Sequence, residues 1–425
     1  MPIAPQPIPL GGICLALAVW ENGDDRRLFL IVSAGHNDSL LQCRDTNGAL
    51  LWQKPLPAAR QHVTLRVAPT TGVVWIGLPG GLCVYTREGE PFPAPCLSHR
   101  DGERLGSFVL CSEGFLAAFF VPRTAAQPPD HARVAYFPFS AEGTAWSTRI
   151  AVTPIGHPGI VQRTRENQWA EEQKPSWHPR TWEPDRTDPL LVSSDHVLAS
   201  FYDDSGLGIS YCLDLTSGAL LWQTLPAPTG SKAIAGPGEF LIGTQGYGVF
   251  STDRYSGAGA RLQHWNTHGH YAVPVEGPVR LVEMENCLPS RTHIATLEPD
   301  GSVQRGAHLP GYRTSEPCLT QTGDMIFVRE QTDALLRADA SGTLHSLTPL
   351  FLPERPFFSR TLLTRDGQVL VVANAWERTK PGEGTLIGRG DLWIIPTTLQ
   401  PASEGIWPYH NANLSNNPVF PFHPR

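Results

Sequence analysis

The sequence is first defined by what it does not contain. No apolar stretch in its 425 residues approaches the ~20 needed to span a bilayer as a helix. The opening Met1-Pro2-Ile3-Ala4-Pro5-Gln6-Pro7-Ile8-Pro9-Leu10 carries no positive charge and holds four prolines, so it lacks the basic start and apolar stretch of a secretory signal. Leu10-Gly11-Gly12-Ile13-Cys14 imitates a lipoprotein cleavage site, but Ile13 stands where a small side chain is needed. The expectation is a soluble, cytoplasmic protein with no membrane partner. A basic surplus is missing too. The net charge is −7, and no stretch combines Lys or Arg with stacking aromatics. This excludes a nucleic-acid binder that works by neutralising phosphates.

Paired cysteines are also absent. Cys14, Cys43, Cys83, Cys96, Cys111, Cys212, Cys287 and Cys318 are scattered, with no Cys-x-x-Cys and no adjacent pair. Zinc sites and disulfide frameworks need such spacings. Most of these cysteines sit in apolar, strand-like runs, as buried free thiols do in a reducing compartment. There is no Gly-x-Ser-x-Gly elbow and no nucleophile–base pairing, so no catalytic residue is expected.

Punctuation is what the chain has in excess. Gly and Pro occur 40 times each, without a Gly-X-Y period, while 41% of residues are hydrophobic. Dense turn residues with ample apolar content predict many short strands and few helices. A length of 425 residues would suggest two or three domains, but repeat folds grow by adding units.

Internal repetition is present. Asp45-Thr46-Asn47-Gly48-Ala49-Leu50-Leu51-Trp52-Gln53 recurs as Asp214-Leu215-Thr216-Ser217-Gly218-Ala219-Leu220-Leu221-Trp222-Gln223. Gly48 and Gly218 lie 170 positions apart, about four units of ~42 residues, the length of a four-stranded propeller blade. The Asp caps backbone amides, the Gly takes positive φ, and the returning strand carries a Trp large enough to wedge between sheets. Weaker copies put turn glycines at 89, 143, 257, 301, 342 and 405. Eight turns predict an all-β, eight-bladed β-propeller of four antiparallel strands per blade. Seven blades is the alternative, because the sixth and eighth units are ragged. In the first unit the strands are expected at 12–21, 26–35, 39–45 and 49–54. In the second they are expected at 63–68, 72–78, 81–86 and 90–96. One domain, 1–425, is expected, with 403–425 as a tail closing or flanking the ring.

Three insertions interrupt the rhythm: 121–131, 374–389 and, between the third and fourth blades, 154–189. The last contains Arg163, Arg165, Trp169, Trp177, His178, Trp182 and Arg186. Trp with Arg is the composition of a binding hot spot. These residues either contact a protein partner or pin the loop to the propeller rim.

The Asp-x-x-[Ser/Asn]-Gly-Ala-Leu-Leu-Trp-Gln signature resembles that of the pyrroloquinoline-quinone-like propellers, which include quinoprotein alcohol dehydrogenases and the BamB-type outer-membrane assembly lipoprotein. Ile406-Trp407-Pro408-Tyr409 through Asn417 is similar to a segment that flanks such propellers, without its closing Thr-Gly. The resemblance implies the scaffold. The quinone chemistry it could also imply is not matched by adjacent cysteines or a calcium-binding constellation, so no cofactor is expected.

Other chemical candidates are weaker. His264, His268 and His270 could approach a metal, but Asn266 and Gly269 break the strand, and no metal is expected. Glu283 and Glu285 would share one face of a strand as exposed carboxylates. Asp203-Asp204-Ser205-Gly206 predicts a hairpin turn, and Gly243–Gly248 lacks the following helix that a phosphate cradle needs. The expected function is non-catalytic: an accessory subunit of a bacterial multi-protein system, holding a protein partner of unknown identity. The alternatives are a quinone- or metal-dependent enzyme using the central channel, and a propeller that binds a carbohydrate or another small ligand.

Overall fold

The structure is a computed structural model. It describes residues 5–33, 38–57, 63–95, 97, 100, 102–121, 131–140, 143–151, 183–184, 190–202, 207–225, 227–246, 249–283, 292–309, 315–329, 334–350, 352, 358–378, 386–402, 413 and 417–420. Among them there is no helix, and the strands build an eight-bladed β-propeller. Blade one comprises Ile13–Asn22, Asp25–Ser33, Ser39–Arg44 and Leu50–Leu56, in antiparallel order from the channel outward. Each boundary lies within two residues of expectation. Blades three, five, six and seven repeat this plan. Blade four (Leu190–Ser193, His196–Tyr202, Leu207–Asp214, Leu220–Gln223) is fused to blade five, because Leu207 and Gly208 of its third strand pair with Pro228 and Ala227.

Blade two departs from expectation. It forms Thr64–Val67, Val74–Leu78 and Gly81–Tyr85, but 90–95, the described part of the expected fourth strand, is not a strand. Pro91, Pro93 and Pro95 have no N–H to give a ladder. What remains is a Tyr85–Pro91 bridge and one bond from Phe92 N to the Val84 carbonyl, 2.9 Å.

The repeat residues do what their chemistry predicts. Asp45 Oδ1 accepts from the amides of Asn47 (2.8 Å) and Ala49 (2.9 Å), and Gly48 has φ +82°. Asp214 caps Thr216 and Ser217 in the same way. Each returning tryptophan then docks on the next blade. Trp52 Nε1 donates to the Arg87 carbonyl (3.0 Å), Trp146 to Leu215 (2.9 Å), Trp222 to Gly257 (2.8 Å) and Trp265 to Glu298 (2.8 Å). A Cβ on Gly89 would stand 2.9 Å from the Trp52 ring, and one on Gly259 2.7 Å from that of Trp222. Each of these glycines is thus required twice, for its positive φ and for the neighbour's indole.

One turn differs from expectation. In blade five the left-handed residue is Gly259, not Gly257, and Ser256 accepts the Gly259 amide at 2.9 Å. Asp253, expected to begin this turn, lies within the third strand instead. The eighth turn, placed at Gly405, falls outside the described residues. Blade eight gains its outer strand from the other end of the chain. Ile8 and Pro9 pair with Leu392 and Asp391 of its third strand, Leu386–Pro396. Ile8 and Ile394 then cover Gly48 of blade one, the place a tryptophan takes elsewhere.

Buried polar groups stitch the blades. Asn374 of blade eight donates to the Cys14 carbonyl and accepts its amide, both at 2.8 Å. Arg26 of blade one binds Asp366 and Gln368 of blade eight, and Arg329 of blade seven binds Thr292 of blade six. The six described cysteines are free, and Cys14, Cys43, Cys212 and Cys318 are buried. Burial pushes the thiols of Cys14, Cys43 and Cys212 up to about 12.

Candidate functional site

Arg163, Arg165, Trp169, Trp177, His178, Trp182 and Arg186 lie outside the described residues. Of the 154–189 insertion, only Glu183–Pro184 is described, paired with Tyr202 and Phe201 of blade four. Asp203–Gly206 and Glu285 are also outside.

The histidines are not brought together. His264 is exposed on the outer strand of blade five, Arg261–Trp265, where Nδ1 meets Asp253 Oδ1 at 2.7 Å and Nε2 meets Asn266 at 3.1 Å. His268 is buried at the entry to blade six, 3.4 Å from the Tyr271 hydroxyl and 3.5 Å from the Ser231 amide. Burial pushes His268 down to about 3 and His270 to about 4, so both are neutral imidazoles near pH 7. Among the described residues no group of three His, Cys, Asp or Glu side chains is placed to hold a metal ion.

Glu283 corrects the expectation of an exposed carboxylate. It is 5% exposed, because its strand Val279–Glu283 is the second of blade six and covered on both faces. Thr267 Oγ1 and Arg305 Nε donate to its Oε1 at 2.7 and 2.8 Å, and His293 Nδ1 lies 3.2 Å from Oε2. A carboxylate so saturated is a hub for the blade. Gly243 lies in Glu239–Gly246, and the strand Val249–Ser256 follows it. Glu316 is a further, half-buried carboxyl. Desolvation raises it to about 7 against the opposing pull of Arg360, whose guanidinium lies 3.7 Å away across the joint of blades seven and eight.

The inner edges of the blades hold an arrangement the sequence did not disclose. An inner strand has one ladder edge facing the channel, a template for an added strand. Two of these edges carry residues from the chain's own C-terminal region. Val419–Phe420 runs parallel to Leu190–Ser193 of blade four, with the Val192 amide donating to Pro418 O (2.9 Å) and the Ser194 amide to Phe420 O (2.7 Å). Asn417 imitates a strand on blade three: its Oδ1 accepts the Leu110 amide at 2.9 Å and its Nδ2 donates to the Leu110 carbonyl at 2.8 Å. Asn413 fixes Asn417, donating to its carbonyl at 2.7 Å and accepting its amide at 3.1 Å. Upstream, the Ala402 amide donates to Leu319 O of blade seven at 3.1 Å, and Pro401 bridges Thr320. Blade seven is four blades from blade three, across the ring. All these contacts fall at the C-terminal ends of inner strands, at one mouth of the channel. Besides the expectation of 403–425 as a tail, the cue in the sequence is the Asn-rich run Asn411–Asn417, which contains Asn413 and Asn417.

No family model and no curated protein matches the chain. Among solved structures it is similar to a puromycin-hydrolyzing peptidase from Mycobacterium tuberculosis, with 13% identity over 89% of this chain and 62% of that one, and a TM-score of 0.48. It is also similar to the dihydro-heme d1 dehydrogenase NirN (14% identity, 79% and 66% covered, TM-score 0.49). A third is a europium-containing methanol dehydrogenase (13% identity, 92% and 93% covered, TM-score 0.41). The chain spans just under two thirds of the peptidase and of NirN.

Proposed function

We propose that this propeller is a non-catalytic platform that holds a protein partner as an accessory subunit of a multi-protein assembly. One observation carries the reading. The channel-facing edges of blades three and four accept an added segment, the chain's own residues 417–420, through main-chain bonds on blade four and the Asn417 side-chain clamp on blade three. Strand addition of this kind is a recurrent mode of peptide recognition, with backbone bonds supplying affinity and side-chain pockets specificity. In the sequence, the 154–189 insertion lies between the strands of these same two blades. Its Trp169, Trp177 and Trp182, with Arg163, Arg165 and Arg186, have the composition of anchors for a partner. No cofactor is needed for this role.

The test is affinity purification of the full-length protein from its native cells, with quantitative mass spectrometry, beside a variant carrying Ala at 169, 177 and 182. A stoichiometric partner retained by the wild type, and lost at least tenfold by a variant with an unchanged melting curve, is the expected result. Purification of the protein alone, carrying stoichiometric quinone or metal, would overturn it in favour of channel chemistry.

A further inference from the structure

The two sharp copies of the repeat allow one interblade joint to be compared with another, position by position. In blade one, Phe29, Cys43 and Trp52 form a cross-strand row, and Trp52 docks on the turn after Tyr85 of blade two. In blade four, Leu198, Cys212 and Trp222 form the same row, and Trp222 docks on the turn after Tyr255 of blade five. Residues directly opposite in adjacent strands share a face, and so do residues two apart along a strand. The next row towards the other end of the joint is therefore defined on both walls.

Between blades one and two that row is apolar. Ile31 and Leu41 face Leu65, Ile76 and Cys83, and the four aliphatic residues are fully buried. Between blades four and five the equivalent residues are Ser200 and Ser210 on one wall and Lys232, Ile242 and Asp253 on the other, with His264 continuing the row. Four of five positions have exchanged hydrocarbon or thiol for hydroxyl or charge. The joint is also open. A cleft of about 610 Å³ lies there, lined by these residues together with Thr224, Thr244 and Ser251. Its cause is local: the outer strand of blade four stops after four residues, against seven in blade one, and the small residues Gly208 and Ala227 meet where it would continue. Below the cleft the joint is sealed by Trp222 stacked on Tyr255, with ring centres 5.3 Å apart.

We propose that this cleft is a binding site for a small neutral saccharide. Its volume falls within the roughly 300–1,000 Å³ of small-ligand sites. The wall offers opposite charges two strands apart, about 9.5 Å by strand spacing. Lys232 is a donor and Asp253 an acceptor, while Ser200, Ser210 and Thr224 do both. Lys232 is held by the Gly230 carbonyl at 3.0 Å, and Asp253 by His264 at 2.7 Å, so both are fixed in orientation. Ser200 and Ser210 Oγ lie 2.8 Å apart, and Thr224 Oγ1 accepts the Ser210 amide at 3.0 Å. A sugar's hydroxyls can donate to the carboxylate and accept from the ammonium at once. A phosphate would meet the Asp253 carboxylate, and a cation would meet Lys232 and Arg261, whose guanidinium lies 3.7 Å from Asp253. Phe250 also lines the cleft, whereas the Phe201 ring is fully buried on the opposite face of its strand, in the core shared with blade three.

The experiment is titration calorimetry with saturation-transfer NMR on the full chain. The probes are glucose, galactose, maltose and cellobiose, with glucose 6-phosphate and glucosamine as charged controls. Saturable binding of a neutral sugar, weakened at least tenfold in Asp253→Asn and in the double variant Ser200→Ile with Ser210→Leu, is expected. The double variant restores the hydrocarbon of the blade-one joint and should melt no lower than wild type. If it does not fold, the Asp253→Asn result decides. No binding of any neutral sugar, a preference for either charged control, or binding indifferent to Asp253→Asn would refute the proposal.

Discussion

The turn glycine and the docking tryptophan should be energetically coupled, and the coupling can be worked out at Trp222 and Gly259. Replacing Trp222 by Ala removes a hydrogen bond to Gly257 O and a stack on Tyr255. These contribute about 1 kcal/mol each. Loss of a half-buried indole adds about 1–2 kcal/mol of apolar burial, for about 3–4 kcal/mol in total. Gly259→Ala acts in two ways. At φ +83° an added Cβ costs roughly 1–2 kcal/mol. The same Cβ would lie 2.7 Å from the Trp222 ring, an overpacking cost of about 1–3 kcal/mol. In the double variant the ring is gone, and the backbone cost remains together with the 3.0 Å approach to the Cβ kept at position 222. The double variant should therefore be about 2 kcal/mol more stable than the sum of the single losses predicts. Urea unfolding with an unchanged m-value measures this directly. Additivity within about 0.5 kcal/mol would mean that the indole does not rest on the glycine, and would refute the wedge. The same cycle at Trp52 and Gly89, where the approach is 2.9 Å, should give the same sign.

Two further outcomes test the joints. Burial raises Glu316 from 4.5 to about 7, so its folded value lies above the unfolded one. The corresponding stability is complete below pH 4.5 and lost as the pH rises through about 7. Relative to Glu316→Gln, the wild type should lose about 3 kcal/mol between pH 4.5 and 8 by linkage, and parallel urea curves for the two proteins would refute this. Asn417→Ala should cut the hydrogen-exchange protection of the Leu110, Val192 and Ser194 amides at least tenfold. It should move the global midpoint by no more than about 1–2 kcal/mol, because water can reach the freed edge. Unchanged protection at Val192 and Ser194 would show that the added strand holds without its clamp.

How far the sequence discloses this molecule depends on how local the determining contacts are. The Asp45 and Asp214 turns are legible because cap, glycine and tryptophan fall within eight or nine consecutive residues. Blade eight is not legible in that way. Its outer strand is two residues, Ile8–Pro9, drawn from the opposite end of the chain, and no local pattern marks a two-residue strand. The misplaced turn of blade five has a similar origin. Asp253 stood where the repeat rhythm wants a cap, but Ser256 supplies the turn and Asp253 faces blade four. Glu283 looked like a solvated carboxylate because its partners, Thr267, His293 and Arg305, come from three other segments. The repeat also extends further than its sharp core. Cys43 and Cys212 both stand two residues before the capping Asp and opposite the docking Trp. That extended register is what makes the two joints comparable.

The comparison separates what folds the chain from what the chain can bind. Ile31, Leu41 and Leu65 show that an apolar row closes such a joint, and each is fully buried. Replacing them with Ser200, Ser210 and Lys232 gives up apolar burial worth about 25 cal/mol per Å² and places hydroxyls and an ammonium between blades. Stability alone would select the hydrocarbon version. The charged row therefore weakens one joint of the ring, while Trp222, Tyr255 and Gly259 secure the same joint below it. A ring of eight blades can carry one such joint because the other contacts hold the two blades in place. The repeat thus has two roles at this point: its conserved geometry supplies the walls, and its altered residues supply the chemistry of the cleft.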